Sequence, residues 1–262
     1  MSASFVKSAE RTLDVLHLLA SRLRPVPASV VAQECGIPRS STYHLLNVLR
    51  DRGWVNYYEA ERAWGLGLTA FETGSAYLRS EPLQRAGRPL LAALTERTGD
   101  TAHLAILEGT DVLYIDKEES RTAPRLVTEI GVRLPAHLTA VGRAILSRLS
   151  PAQVRALYAR PVLVRRTERG PRSMHELLAE LATVAERGYA IEEGTTTVGI
   201  CCIAAPVMGH DGLPAAAVGV TFVAAQRQGA ERDEAAAAVV EAANRLAGAV
   251  GPRRGAVAVV AG

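Results

Sequence analysis

Ser40, Tyr43, His44 and Asn47 follow one another at helical spacing, so at 100° per residue they fall on one arc, while Thr42, Leu45, Leu46 and Leu49 fall on the opposite one. The first arc carries hydrogen-bonding groups without a fixed charge, flanked by the guanidinium of Arg39. Such groups can pair with base edges and phosphates in a DNA groove. Other residues with chemical potential are Cys201 and Cys202, His103 and His137, and Glu192 and Glu193. Neither cysteine stands in a context that lowers a thiol pKa, so both read as small buried hydrophobes. Glu192 and Glu193 are adjacent on a strand and face opposite sides, which is poor geometry for paired acid and base work. There is no GxSxG element, no CxxC spacing and no close Cys/His cluster, so neither a hydrolase nucleophile nor a metal site is expected, and no cofactor.

The elements around the polar arc are set by punctuation. Pro27 precedes a short helical run, ASVVAQEC (28–35), Gly36 permits the turn that ends it, and Pro38 restarts a helix that meets no breaker until Gly53. Trp54–Tyr58 and Ala63–Leu66 are β-prone runs around the turn Glu59–Arg62, a wing. A preceding amphipathic helix places Leu13, Leu16, Leu19 and Leu23 on one side. The pattern reads as a winged helix-turn-helix. Its bland alternative is two ordinary helices and a hairpin in a globular core.

The chain has 262 residues, 48% of them hydrophobic, enough for two domains. Apolar runs fall short of a membrane span and the N-terminus lacks a secretory pattern, so a soluble cytoplasmic protein is expected. Net charge is only +3, with eight Lys or Arg against six Asp or Glu through Leu66. DNA affinity must therefore come from the placement of Arg39, Arg50, Arg52 and Arg62 and from doubling by dimerisation.

Beyond the wing, Leu68–Arg79 reads as a connecting helix with Phe71 and Tyr77 as packing anchors. A longer helix follows from Pro82 to Gly99. Thr101–Leu107 and Asp111–Lys117 form a hairpin, and Arg125–Ile130 makes a third strand. Helices are expected over Leu138–Leu149, Pro151–Ala159 and Met174–Arg187, strands over Tyr189–Glu193, Ile200–Met208 and Ala215–Val223, and a final helix over Glu231–Ala249. Glu118, Glu119 and Arg121 read as a solvated turn. Strands gathered between helices argue for an α+β domain with an antiparallel sheet.

The motifs SAERTLDVLHLLA, GIPRSSTYHLLNVLRDRGWV, LGLTAFETGSAYL, LPAHLTAVGRAIL and GICCIAAPV occur in this order between residues 8 and 207, and the chain thereby resembles the IclR family of bacterial transcriptional regulators. The resemblance implies a winged helix-turn-helix domain (1–67), a linker helix (68–81) and a GAF-like α+β effector-binding and oligomerisation domain (82–250), while the Ala/Val/Gly-rich, uncapped tail (251–262) is expected from its composition to be disordered. The resemblance also implies a homodimer or dimer of dimers on a palindromic double-stranded DNA operator. The family's recognition motif falls on Pro38, Arg39, Ser40, Ser41, Thr42, Tyr43, Leu45 and Leu46. With the arc described above, the expected DNA contacts are Arg39, Ser40, Ser41, Thr42, Tyr43, His44, Asn47 and Arg62. His44 stands where arginine is common in the family, which changes a phosphate contact or a base preference.

For the effector, the resemblance implies Thr139, Ala140, Val141, Gly142, Glu192, Cys202, Gly219 and Thr221. Gly219 and Thr221 stand where serine is frequent, implying one hydroxyl fewer and more room. Independently, Thr139 is a plausible cap of the following helix, and Gly142 would let an anion such as a carboxylate approach backbone N–H groups there. The alternative is that Thr139 is only a cap and Gly142 only a close packing point. These residues together point to a ligand-responsive regulator, a repressor or activator under allosteric control by a small carboxylate. Its rivals are an enzyme acting on a small carboxylate through the C-terminal domain, and a ligand sensor that binds no DNA.

Overall fold

The computed structural model describes residues 6–22, 24–120, 128–158 and 163–249. The chain divides into two compact units, Met1–Ser80 and Glu81–Gly262. Leu23, residues 125–127 of the expected third strand, Arg121 and the tail 251–262 lie outside the described residues.

The first unit contains α1 (Lys7–Ala20), α2 (Ala28–Glu34), α3 (Arg39–Asp51), β1 (Val55–Tyr58), β2 (Ala63–Leu66) and α4 (Leu68–Ser80). Gly36 takes φ +62°, the left-handed conformation that reverses the chain between α2 and α3. The unit closes on Val15, Leu19, Val31, Ile37, Leu46, Leu49, Val55 and Trp64. Each such side chain contributes roughly 1.5–3 kcal/mol by leaving water. The hairpin β1–β2 is antiparallel and is tied to the segment before α2 by paired backbone bonds between Val26 and Trp64, both 2.8 Å.

Two expectations for this unit fail. The buried side of α1 carries Val15 and Leu19, while Leu13 is 56% exposed, because at helical spacing it lies on the far side of the helix from Val15. Phe71 and Tyr77 of α4 are 71% and 52% exposed and do not belong to the buried core of the unit.

The second unit runs α5 (Pro82–Thr98), β3 (Thr101–Glu108), β4 (Asp111–Glu118), β5 (Arg133–Pro135), a 3-10 turn (Ala136–Leu138), α6 (Ala140–Leu146), α7 (Pro151–Leu157), α8 (Met174–Arg187), β6 (Ala190–Glu193), β7 (Ile200–Met208), β8 (Pro214–Val223) and α9 (Ala230–Ala249). Among the described residues, six strands form one antiparallel sheet in the order β5-β4-β3-β8-β7-β6. The third strand is Arg133–Pro135, since Thr128–Ile130 is not a strand.

Period-two alternation sorts the sheet into two faces. Ala102, Leu104, Ile203, Ala205, Val218, Val220 and Phe222 pack with Leu91, Leu94, Val239 and Leu246 of α5 and α9. Ala105, Tyr114, Ala204 and Ala217 pack with Val141 and Ile145 of α6 and with Leu177 and Leu181 of α8. This second face also carries the polar residues considered next.

Candidate functional site

In the first unit, α3 presents Arg39, Ser40, Ser41, Tyr43, His44 and Asn47 to solvent, with Tyr43 53% exposed. The helix begins after Pro38 without a side-chain cap. The positive end of its dipole is therefore open to an anion such as a phosphate. Thr42 does not belong with the exposed set. It is fully buried, and its hydroxyl lies 3.2 Å from the Pro38 carbonyl oxygen and 3.4 Å from that of Ile37, so it holds the turn into α3 rather than a base. Arg62, in the hairpin turn, adopts φ +50°, an uncommon conformation for a side-chain-bearing residue. Arg50 is ion-paired with Asp51 at 3.1 Å.

In the second unit, the expected effector residues lie on or under α6. Glu192, Cys202, Thr221 and Gly219 come from β6, β7 and β8, where Glu192 pairs with Cys202 and Cys202 with Thr221 in register. The sheet adds His103 on β3, whose Nε2 lies 2.7 Å from Thr221 Oγ1, and Tyr114 on β4, whose ring meets His103 edge-on at 5.5 Å. Thr221 Oγ1 lies 2.8 Å from Cys202 Sγ. Glu192 Oε1 accepts the Thr195 N–H at 2.5 Å, the Thr195 hydroxyl at 2.6 Å and the Thr196 N–H at 3.3 Å.

Burial, with the Lys117 cation adding to it, lowers the His103 ring to about 3, so the imidazole is neutral near pH 7. Burial pushes Cys201 up to about 12, and raises Cys202 too, with Glu192 adding to that rise. Both stay thiols, which denies this face a thiolate nucleophile. Among the described residues no group of His, Cys, Asp and Glu is placed to hold a metal ion.

Two glycines act differently from the sequence expectation. A Cβ on Gly142 would lie 2.2 Å from the Ala136 carbonyl oxygen, and the Gly142 N–H is already taken by Thr139 Oγ1 at 3.0 Å. Gly142 thus lets α6 press on the preceding 3-10 turn and leaves no approach for a ligand there. At Gly219 a Cβ would meet the Ile203 carbonyl oxygen at 2.8 Å and Val141 Cγ1 at 3.3 Å. The absent side chain gives room to Val141, not to an effector.

His103, Tyr114 and Thr195 were not among the expected pocket residues. Strand parity was the available signal, since His103 is in phase with Ala105 on β3 and Glu192 with Ala190 on β6. Thr195 is brought in by its hydroxyl contact with the Leu138 carbonyl, across 57 positions of sequence.

The family model for the IclR helix-turn-helix domain matches residues 8–58, and that for the bacterial transcriptional regulator IclR C-terminal domain matches residues 75–247. The chain belongs to the IclR family. It is similar to the HTH-type transcriptional regulator BhcR of Paracoccus denitrificans, 32% identical over 249 residues that cover 95% of this chain and 89% of BhcR. It is also similar to the transcriptional repressor IclR of Escherichia coli, 30% identical with 95% and 92% covered. Among solved structures it superposes with TM-score 0.80 on an IclR homolog of Microbacterium hydrocarbonoxydans complexed with 4-hydroxybenzoate, at 21% identity with 92% and 98% covered. The chain is an IclR-type DNA-binding transcriptional regulator with an α+β effector-binding domain after its helix-turn-helix. No helix among the described residues is long and apolar enough to cross a membrane.

Proposed function

We propose that a homodimer of this chain docks two α3 helices in successive major grooves of a palindromic operator, in the cytoplasm where the DNA lies, and that a small carboxylate in the second unit sets its occupancy. Half-sites about one helical turn apart are the simplest geometry. The observation that carries this reading is the shared exposure of Arg39, Ser40, Tyr43, His44 and Asn47 above the buried anchors Thr42, Leu46 and Leu49. Arg62 would reach the flanking backbone from the wing. Exposed Leu68, Phe71 and Tyr77 on α4 supply apolar area that a second copy can cover.

For the effector, Thr139, Ala140 and Val141 at the start of α6 face a polar sheet wall of Glu192, Cys202 and Thr221. Among the described hydrogen bonds none takes the N–H of Ala140 or Val141, which leaves two donors for a carboxylate. The relative bound to 4-hydroxybenzoate supports a carboxylate of small size. A coupling of ~1–3 kcal/mol between the two sites changes operator occupancy roughly 5- to 150-fold, which is enough for the domain to act as a sensor.

Gel shifts of DNA upstream of the chain's own gene test the first half. Arg39→Ala is expected to weaken binding and to lower the salt slope by about one counterion, and Ser40→Ala to weaken it with the slope unchanged. Full retention of operator binding by both variants refutes the placement of α3 in the groove.

A further inference from the structure

The apolar residues of α3 divide into two groups. Leu46 and Leu49 are buried and Leu45 packs against them, all in the core of the first unit. Val48 stands outside that core and is 46% exposed. At helical spacing it falls about 20° around the axis from Ser41 and about 40° from His44, beside the exposed Ser40 and Asn47. Asp51, three residues further on, is engaged by Arg50 at 3.1 Å.

Within the folded chain this valine gains little. A β-branched side chain inside a helix is a poorer helix former than alanine, and an exposed one buries little apolar area. It does supply stiffness, because its two methyl groups are held in one χ1 rotamer and lose little freedom when a surface closes on them. A lone exposed valine is commonplace elsewhere on a protein, and here its position on the reading helix gives it meaning.

A helix seated in the major groove faces base edges made of hydrogen-bond donors and acceptors, with one apolar group among them, the C5-methyl of thymine. Ser40, Ser41, His44 and Asn47 suit the donors and acceptors. Val48 suits the methyl. Four residues past His44, it lies about 6 Å further along the helix axis, roughly two base-pair steps. Tyr43, which is 53% exposed, stands about 140° around the helix from Val48, so the two do not share a base.

We propose that Val48 is a specificity-determining residue that reads the methyl group of one thymine in the half-site. The contact rests on α3 lying in the major groove, and it tells thymine from cytosine at a position where hydrogen bonds do not decide.

The test selects half-sites from a pool of random duplexes, once with the full chain and once with its Val48→Ser variant, which keeps a similar helix propensity and removes both methyls. The parent is expected to fix a thymine at one position that the variant leaves open, with the remaining positions shared. On the selected duplex, uracil in place of that thymine removes the methyl alone. It is expected to weaken the parent about 3- to 10-fold and the variant by less than about twofold, and 5-methylcytosine is expected to recover part of the binding that cytosine loses there.

A thymine fixed equally by both chains, or a uracil loss that survives Val48→Ser, overturns the methyl contact. Arg39→Ala and Ser40→Ala keep the two readings apart: if they weaken binding while no position answers to Val48→Ser, α3 stays in the groove and the valine contact falls. A pool that yields no half-site, or one indifferent to all three variants, overturns both. The Val48→Ser chain is expected to match the parent in urea unfolding and in sedimentation. A lowered midpoint gives the valine a packing role within the chain, a changed mass gives it to a second copy, and either overturns the contact.

Discussion

Cys201 and Cys202 are neighbours on β7 and occupy opposite chemistry. Cys201 is packed among Ile203, Val220 and Phe222 under α5 and α9, and Cys202 is bonded to Thr221 under α6. The two faces of one sheet share every backbone bond, so the difference lies wholly in the side chains that alternation deals to each. The α5/α9 face is apolar except toward β4, where Asp116 lies 4.0 Å from Arg88 of α5, and it contributes by burial. The α6 face buries His103, Glu192, Thr195 and Thr221, which is tolerable because they bond to one another or to backbone. One face carries stability; the other buries the polar residues proposed to meet the effector.

The sharpest way to break this contrast is at the closest approach on the α6 face. Gly142→Leu forces a Cβ to 2.2 Å from the Ala136 carbonyl oxygen, and α6 must lift. A loss of about 3 kcal/mol or more is expected, seen as a lowered melting transition of the second unit. A variant that melts like the parent and loses only its ligand response would restore Gly142 as a ligand contact.

A gentler pair compares the cysteines directly. Cys201→Ser buries a hydroxyl among apolar side chains and is expected to cost about 1–3 kcal/mol. Cys202→Ser keeps a donor and acceptor between Thr221 and Glu192 and is expected to stay within about 0.5 kcal/mol of the parent. Equal costs in urea titrations would erase the distinction between the faces.

The smallest effect is on acid sensitivity. An imidazole that titrates at 6.5 when free and about 3 when folded takes up a proton on unfolding, so its contribution is whole above pH 6.5 and falls away as the pH drops toward 3. The slope from one such proton is at most about 1.4 kcal/mol per pH unit. Asp100 runs the other way, because burial, partly opposed by Arg227, raises it to about 6 and favours the folded chain on acidification between 6 and 3.8. His103→Gln removes the first contribution alone and is expected to lose less stability between pH 7 and pH 5 than the parent. Superposable pH profiles would show that His103 is not held neutral.

Much of the fold was legible where the chain is punctuated. Gly36, Pro38 and Gly53 bracket α3 at Arg39–Asp51, and Gly188 ends α8 at Arg187 with φ +88°. Local conformational rules suffice there. The strand Arg133–Pro135 was missed because three residues carry no period and its partner β4 defines it. The exposure of Phe71 and Tyr77 was illegible for a related reason, since helical spacing does not say what a face will meet. In the site, the motif residues of α6 and the sheet were named from sequence, but His103 was not tied to Thr221. Their contact spans 118 positions and is made by strand order, which alternation alone does not reveal. The two glycines were misread because a missing side chain looks the same whether it admits a ligand, a carbonyl or a valine.

The paired bonds between Val26 and Trp64 lock the hairpin onto the connector that leads into α2. Reader helix and hairpin tip are thereby held as a single caliper of fixed gape. An operator of this protein should then tolerate changes in the bases between its two touched stretches far better than the insertion or deletion of one base pair within a half-site.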